Sequence, residues 1–155
     1  MTLPTRLPAD EHDRYALYLE ALAAAPTEAE PGLVTAVLRD EDRVMGQAAV
    51  VRHVDVRGSA LLRSDGFGPW AAALAAVVGE HPFIVQRLDE WALLAALARG
   101  LPWDAAALTA GSNRLQLGVA ETVDSTRALT LLAADGRTRR IRNIAASRLR
   151  ALARR

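Results

Sequence analysis

The side chains best suited to intermolecular chemistry are arginines. Arg137, Arg139, Arg140, Arg142, Arg148 and Arg150 crowd one end of the chain, and from Arg137 to Arg155 there are eight arginines and no acid. A guanidinium keeps its charge at ordinary pH and offers a planar fork of donors to a carboxylate or a phosphate. Three readings follow. The run is a solvated face suited to the negative end of a helix dipole, a dock for an acidic protein or for the acidic half of a second copy, or a contact for nucleic-acid phosphates. No aromatic interleaves these arginines, so stacking of single-stranded bases is not indicated.

Groups that could do bond-making chemistry do not converge. His12, His53 and His81 fall in different predicted helices or caps, with no pair at metal-ligand spacing. Asp10, His12 and Asp13 share a helix start, where adjacent charges are ordinarily solvated, and His53 resembles an acid-base cluster only through its neighbours Arg52 and Asp55. No nucleophile elbow surrounds Ser59, Ser64, Ser112, Ser125 or Ser147, and Gly66 and Gly68 lack the strand and helix of a phosphate loop. The chain has 155 residues and no cysteine, which removes disulfides, thiolate nucleophiles and cysteine zinc sites. No catalytic residue, metal or cofactor is expected, and a small-molecule enzyme ranks last among the functional readings.

The arginines must ride on a helix. Ile141, Ile144, Ala145, Leu149 and Leu152 recur at helical spacing and gather one apolar stripe, with most of the arginines off it. Asp135 and Gly136 ahead of it predict a tight structural turn in which the glycine closes the preceding helix, over residues 125–134, in a left-handed conformation. A helix, a turn and an antiparallel return result.

This spacing resembles a HEAT repeat, a paired-helix unit. Asp135, Ile141-Arg142, Ala145-Ala146, Leu149 and Leu152 carry the resemblance, across residues 131–152. Weaker copies lie at 38–51, with Asp40, Val44-Met45 and Ala48-Ala49, and at 115–123, with Leu115-Gln116, Val119-Ala120 and Val123. The resemblance implies a short solenoid of stacked antiparallel helix pairs. It also implies that Arg142 reaches back to Asp135, while Met45 and Gln116 stand where the other copies would carry that arginine.

The remaining chain also reads as helix. Ala, Leu and Val supply most of a 51% hydrophobic content, while aromatics make up 5%, a balance that favours close-packed helices over a sheet. The fold class expected is all-α, either a short HEAT-like solenoid or an irregular bundle. Residues 1–9, with two prolines, read as a loose arm, and residues 10–155 as one helical domain with a sub-unit break at 64–69. Asp10 caps a first helix whose stripe is Tyr15, Leu19 and Leu22. Asp40 is expected to cap a helix that points Val44, Ala48, Val51, and Val54 or Met45, inward. Trp70, Leu74, Val77 and Val78 form the next stripe, and Ile84, Leu88, Trp91 and Ala95 another, the two helices together making the core pair. Three tryptophans, Trp70, Trp91 and Trp103, either fill the core or form a hot-spot patch, core filling being preferred.

Charge is uneven along the chain: residues 1–100 hold nine arginines and fourteen acids, residues 101–155 ten arginines and four acids. No apolar run reaches membrane-spanning length and the start lacks a signal-peptide core, so a soluble cytoplasmic protein is expected, without membrane contact. The function these features suggest is a non-catalytic interaction module or scaffold. Its partner is an acidic protein or a second copy, with nucleic-acid binding through the terminal arginines as the alternative.

Overall fold

The computed structural model describes residues 2–155. Among them the chain is all-helical, with nine α-helices, one 3-10 turn at Thr27–Ala29 and no strand. In order these are α1 Glu11–Ala24, α2 Glu30–Val37, α3 Arg43–Leu61, α4 Phe67–Ala75, α5 Pro82–Ala98, α6 Ala105–Ala110, α7 Asn113–Thr122, α8 Thr126–Asp135 and α9 Arg139–Leu152. Side-chain caps start six of them: Asp10, Asp42, Asp104, Ser112, Ser125 and Thr138 each accept from a backbone N–H in the following turn, satisfying donors that a helix cannot pair internally. Leu115 and Val119 lie on the buried side of α7.

The chain forms two compact units, Met1–Asp89 and Glu90–Arg155, which divide inside α5. Of the segment from Ser64 to Pro69, where a break was expected, Ser64 to Gly66 belong to the turn from α3 and Phe67 to Pro69 begin α4, all within the first unit.

In the first unit α1 lies along α3, and α2 packs against α1, α3 and α4. The core is Tyr18, Leu22, Val34, Val37, Ala49, Val50, Val54, Trp70 and Leu74, all at most 2% exposed. α3 approaches the end of α2 closely at Gly46, where an added Cβ would stand 2.8 Å from the Val37 carbonyl oxygen. α1 is rotated from the face its apolar pattern suggested. Tyr18 and Arg14 are buried while Tyr15 and Leu19 are half-buried, because a buried carboxylate, Asp40, draws the first pair inward. α4 lies against α2, and α1 with α3 is a close helix pairing of this unit.

In the second unit α8 and α9 form a helical hairpin, α7 packs against both, and α6 closes one side against α7 and α8. Leu108, Val119, Ala120, Ala128, Leu129, Leu132, Ile141 and Ala145 make its core, with Ile144, Leu149 and Leu152 packed around the edge. The stripe read for the terminal helix is therefore its inner face. Among the described residues no helix is long and apolar enough to cross a membrane.

Candidate interaction surfaces

The structure sorts the six arginines of the sequence reading into two groups. Three are built into the second unit. Arg137 Nη1 donates to the Gly111 carbonyl at 3.3 Å, and Arg142 Nη1 donates to the Gly136 carbonyl at 2.7 Å. Arg148 Nη1 donates to the carbonyls of Ala120 and Val123, at 3.0 and 2.9 Å, while its Nη2 pairs with Asp124. Arg148 thus closes the C-terminal end of α7, where carbonyls lack helical partners and a cation is favoured. The other three, Arg139, Arg140 and Arg150, are exposed. Arg140 has a loose surface contact with Glu121 at 3.8 Å.

Two expectations about the turn are corrected. Arg142 does reach it, but its acceptor is the carbonyl of Gly136 and not Asp135. α8 runs through Asp135, whose side chain projects into solvent. Gly136 is not left-handed either, with φ −56° and ψ 139°; that conformation occurs at Gly100, φ 67°. Glycine serves at 136 because a Cβ there would lie 2.5 Å from the Leu132 carbonyl oxygen and 2.9 Å from Ile141 Cγ2.

Gln116, at the position where an arginine was sought, is fully buried. Its Nε2 donates to the carbonyls of Leu108 and Thr109, both at 3.0 Å, and its Oε1 accepts from Arg137 N at 2.9 Å. One uncharged side chain thereby ties the end of α6, the body of α7 and the turn between α8 and α9.

Asp40 does not cap α3; Asp42 does, accepting from Met45 N at 3.0 Å. Asp40 is buried and accepts from Tyr18 Oη at 2.5 Å, from Arg14 Nε at 3.1 Å and from Asp42 N at 2.8 Å. Burial alone would raise the pKa of Asp40, but these donors and the Arg14 charge hold it below the ordinary carboxylate range. The Tyr18 hydroxyl, desolvated and facing that anion, is pushed up to about 12. Arg14 Nη1 also donates to the carbonyls of Pro8 and Ala9 at 3.2 and 2.8 Å, which fastens the end of the N-terminal arm to α1.

A second buried cluster gathers on Glu30. Its Oε2 accepts from Trp70 Nε1 at 2.7 Å and lies 3.1 Å from His53 Nε2. Its Oε1 lies 2.9 Å from Arg57 Nε, an ion pair in which the N–H is not aimed at the oxygen. Burial pushes the Glu30 carboxyl up, and the hydrogen bonds from His53 and Trp70 with the His53 and Arg57 charges pull it further down, to a net lowering. The carboxylate and imidazole are 1% and 4% exposed, so no substrate reaches them and the cluster acts in folding. Its Glu30 is one of two glutamates just after Pro26, and nothing in the sequence sets it apart from Glu28. Trp70 fills the core, whereas Trp91 and Trp103 are half-buried beneath the guanidinium groups of Arg114 and Arg127, at 5.7 and 4.8 Å from the ring centres. Among the described residues no three metal-ligating side chains gather.

The surface feature that the sequence misplaced is on α3. Met45, Ala49, Val50, His53 and Val54 turn inward, which leaves Val44, Ala48 and Val51 on the outer side. Val44 is 80% exposed, and with Phe83, 57% exposed, these residues line an open groove of about 480 Å³ together with Gln47, Arg52 and Asp55. Arg87 Nη1 donates to both oxygens of Asp55, at 3.1 and 2.9 Å, while its guanidinium carbon lies 5.5 Å from the centre of the Phe83 ring. The Phe83 wall is thereby braced before anything binds.

Compared with protein-family models, curated proteins and solved structures, the chain matches none.

Proposed function

We propose that this protein is a non-catalytic interaction module that receives one face of a partner protein's amphipathic helix in the α3 groove. The observation that carries this reading is the convergence of Val44, Ala48, Val51 and Phe83 in one concavity. Scattered exposed apolar residues need no explanation, but a contiguous, braced apolar groove loses water favourably when filled. Val44, Ala48, Val51 and Asp55 follow one line along α3 over about 16 Å, the length over which a partner helix presents anchors at i, i+4, i+7 and i+11. Charge selects among partners. Asp55 is neutralised by Arg87, whereas Arg52 is exposed at the rim without an ion pair among the described residues, so the complementary helix places an acid beside its apolar anchors. The HEAT-like spacing at 131–152 supports a scaffold role in the same sense, and a soluble, cytoplasmic setting belongs to the proposal.

The test is selection of helical peptides from a randomised display library on the full chain, followed by fluorescence anisotropy with the enriched sequences. Apolar anchors flanked by Asp or Glu are expected, with affinity reduced at least about tenfold by Ala48→Arg, which fills the groove, and a preference for acids weakened by Arg52→Glu. Enriched peptides that bind Ala48→Arg as tightly as the unaltered chain would overturn the proposal.

A further inference from the structure

Removing from the arginine run those side chains that the fold consumes leaves a defined surface. Among the described residues Arg139, Arg150 and Arg154 are exposed and free of ion pairs, and Arg140 has only its long contact with Glu121. Arg139 and Arg150 stand about three helical turns apart and so point the same way, roughly 16 Å from each other, and Arg154 follows in the turn just past the end of the helix. Asn143 and Ser147, both exposed, fill the space between. The outer face of α9 is therefore a row of hydrogen-bond donors over about 16 Å, opposite the apolar stripe and on a helix that contains no acid.

We infer that this face binds the sugar-phosphate backbone of double-stranded DNA. Two properties separate it from a protein dock. It carries no exposed large apolar residue, and a protein interface takes most of its energy from buried aromatic or aliphatic anchors. Its side chains, Arg, Asn and Ser, are donors of the kinds that engage phosphate oxygens, and a guanidinium gives two parallel bonds to one phosphate. Without an aromatic to stack on, bases of a single strand find no platform. A contact made through phosphates positions the protein on a duplex without itself reading sequence. This surface is separate from the α3 groove and does not depend on the reading given to it.

The experiment uses the full chain and a labelled mixed-sequence duplex of about 20 base pairs in a fluorescence-anisotropy titration at several salt concentrations. Four phosphate contacts give a slope of log K against log salt of about −3.6. The triple variant Arg139→Gln, Arg150→Gln, Arg154→Gln is expected to bring that slope to about −1 and to lower affinity at low salt by at least about tenfold. A control with the same charge change at other exposed arginines, Arg6→Gln, Arg39→Gln, Arg43→Gln, should change affinity by less than about threefold. Undetectable binding at low salt, equal losses in both triple variants, or displacement of the duplex by an equal charge concentration of poly-glutamate would each overturn the inference. The last outcome would assign the face to an acidic protein. Unchanged thermal midpoints in both variants establish that the fold is intact.

Discussion

Trp70 Nε1 donates to Glu30 Oε2 at 2.7 Å, joining two residues forty positions apart in the chain. Both are buried, and the same oxygen stands 3.1 Å from His53 Nε2. A single carboxylate therefore holds α2, α3 and α4 together.

Removing that carboxylate strands its donors. Glu30→Ala should destabilise the first unit by about 3 kcal/mol or more, since breaking a buried ionic contact leaves its partners unsolvated. Trp70→Phe, which keeps the ring and loses one hydrogen bond, should cost about 1–3 kcal/mol. Urea denaturation followed by tryptophan fluorescence and circular dichroism measures both, and a smaller loss for Glu30→Ala than for Trp70→Phe would contradict the role given to the carboxylate.

Acid should weaken the fold through Glu30 and Asp40. Each has its pKa lowered from an ordinary value, 4.5 for the glutamate and 3.8 for the aspartate. The unfolded chain therefore takes up these protons first, so the stabilisation is present above about 4.5 and is lost as pH falls through the lower folded values. Asp40→Asn should reduce stability at pH 7 and flatten the acid limb of urea midpoints against pH. An acid limb of unchanged slope would show that Asp40 is not linked to folding.

At the alkaline end Tyr18 should titrate late. Its pKa of about 12 lies above the ordinary 10.0, so the stability linked to its proton is complete below 10 and is lost as pH rises through about 12. In a Tyr15→Phe background the phenolate absorbance of Tyr18 can be followed alone. Titration near 10, with the protein still folded, would mean that the hydroxyl does not face the Asp40 anion.

Among the arginines, stability should track carbonyl contacts and not position in the run. Arg148→Ala should cost about 1–3 kcal/mol and Arg142→Ala about 1 kcal/mol, while Arg150→Ala and Arg154→Ala stay near zero. Thermal midpoints order the series; equal midpoints for Arg148→Ala and Arg150→Ala would place Arg148 on the surface only.

Gln116→Ala leaves two carbonyls and the Arg137 N–H without their partner, at a cost of roughly 2–4 kcal/mol. Gln116→Glu should be at least as harmful, because a buried anion facing two carbonyl oxygens is repelled. Hydrogen exchange at the Arg137 amide distinguishes this local loss from general loosening: it should accelerate in both variants before global unfolding is reached.

Local chemistry is what the sequence by itself determined. Asp10, Asp104, Ser112 and Ser125 start helices because a short polar side chain satisfies the first free N–H groups wherever it stands. The chain turns between α3 and α4 because Ser64, Asp65 and Gly66 do not continue a helix, with Pro69 in the first turn of α4, and the stripe from Ile141 to Leu152 lies inward because α9 has only one apolar face. Tertiary structure alone decided the cases in which local chemistry is degenerate. α3 is apolar on two sides, and the packing of α1 and α2 covers Met45, Ala49 and Val54 while leaving Val44, Ala48 and Val51 as a groove. Asp40 and Asp42 are equally good caps by type, and the arrival of Tyr18 and Arg14 from another helix makes one of them a buried anchor. Arg148 and Arg150 are chemically identical, yet one meets the open carbonyls of α7 and the other meets solvent. Helical periodicity records that a face exists; which surface covers it depends on contacts between residues far apart in the chain, and those form only when the helices pack.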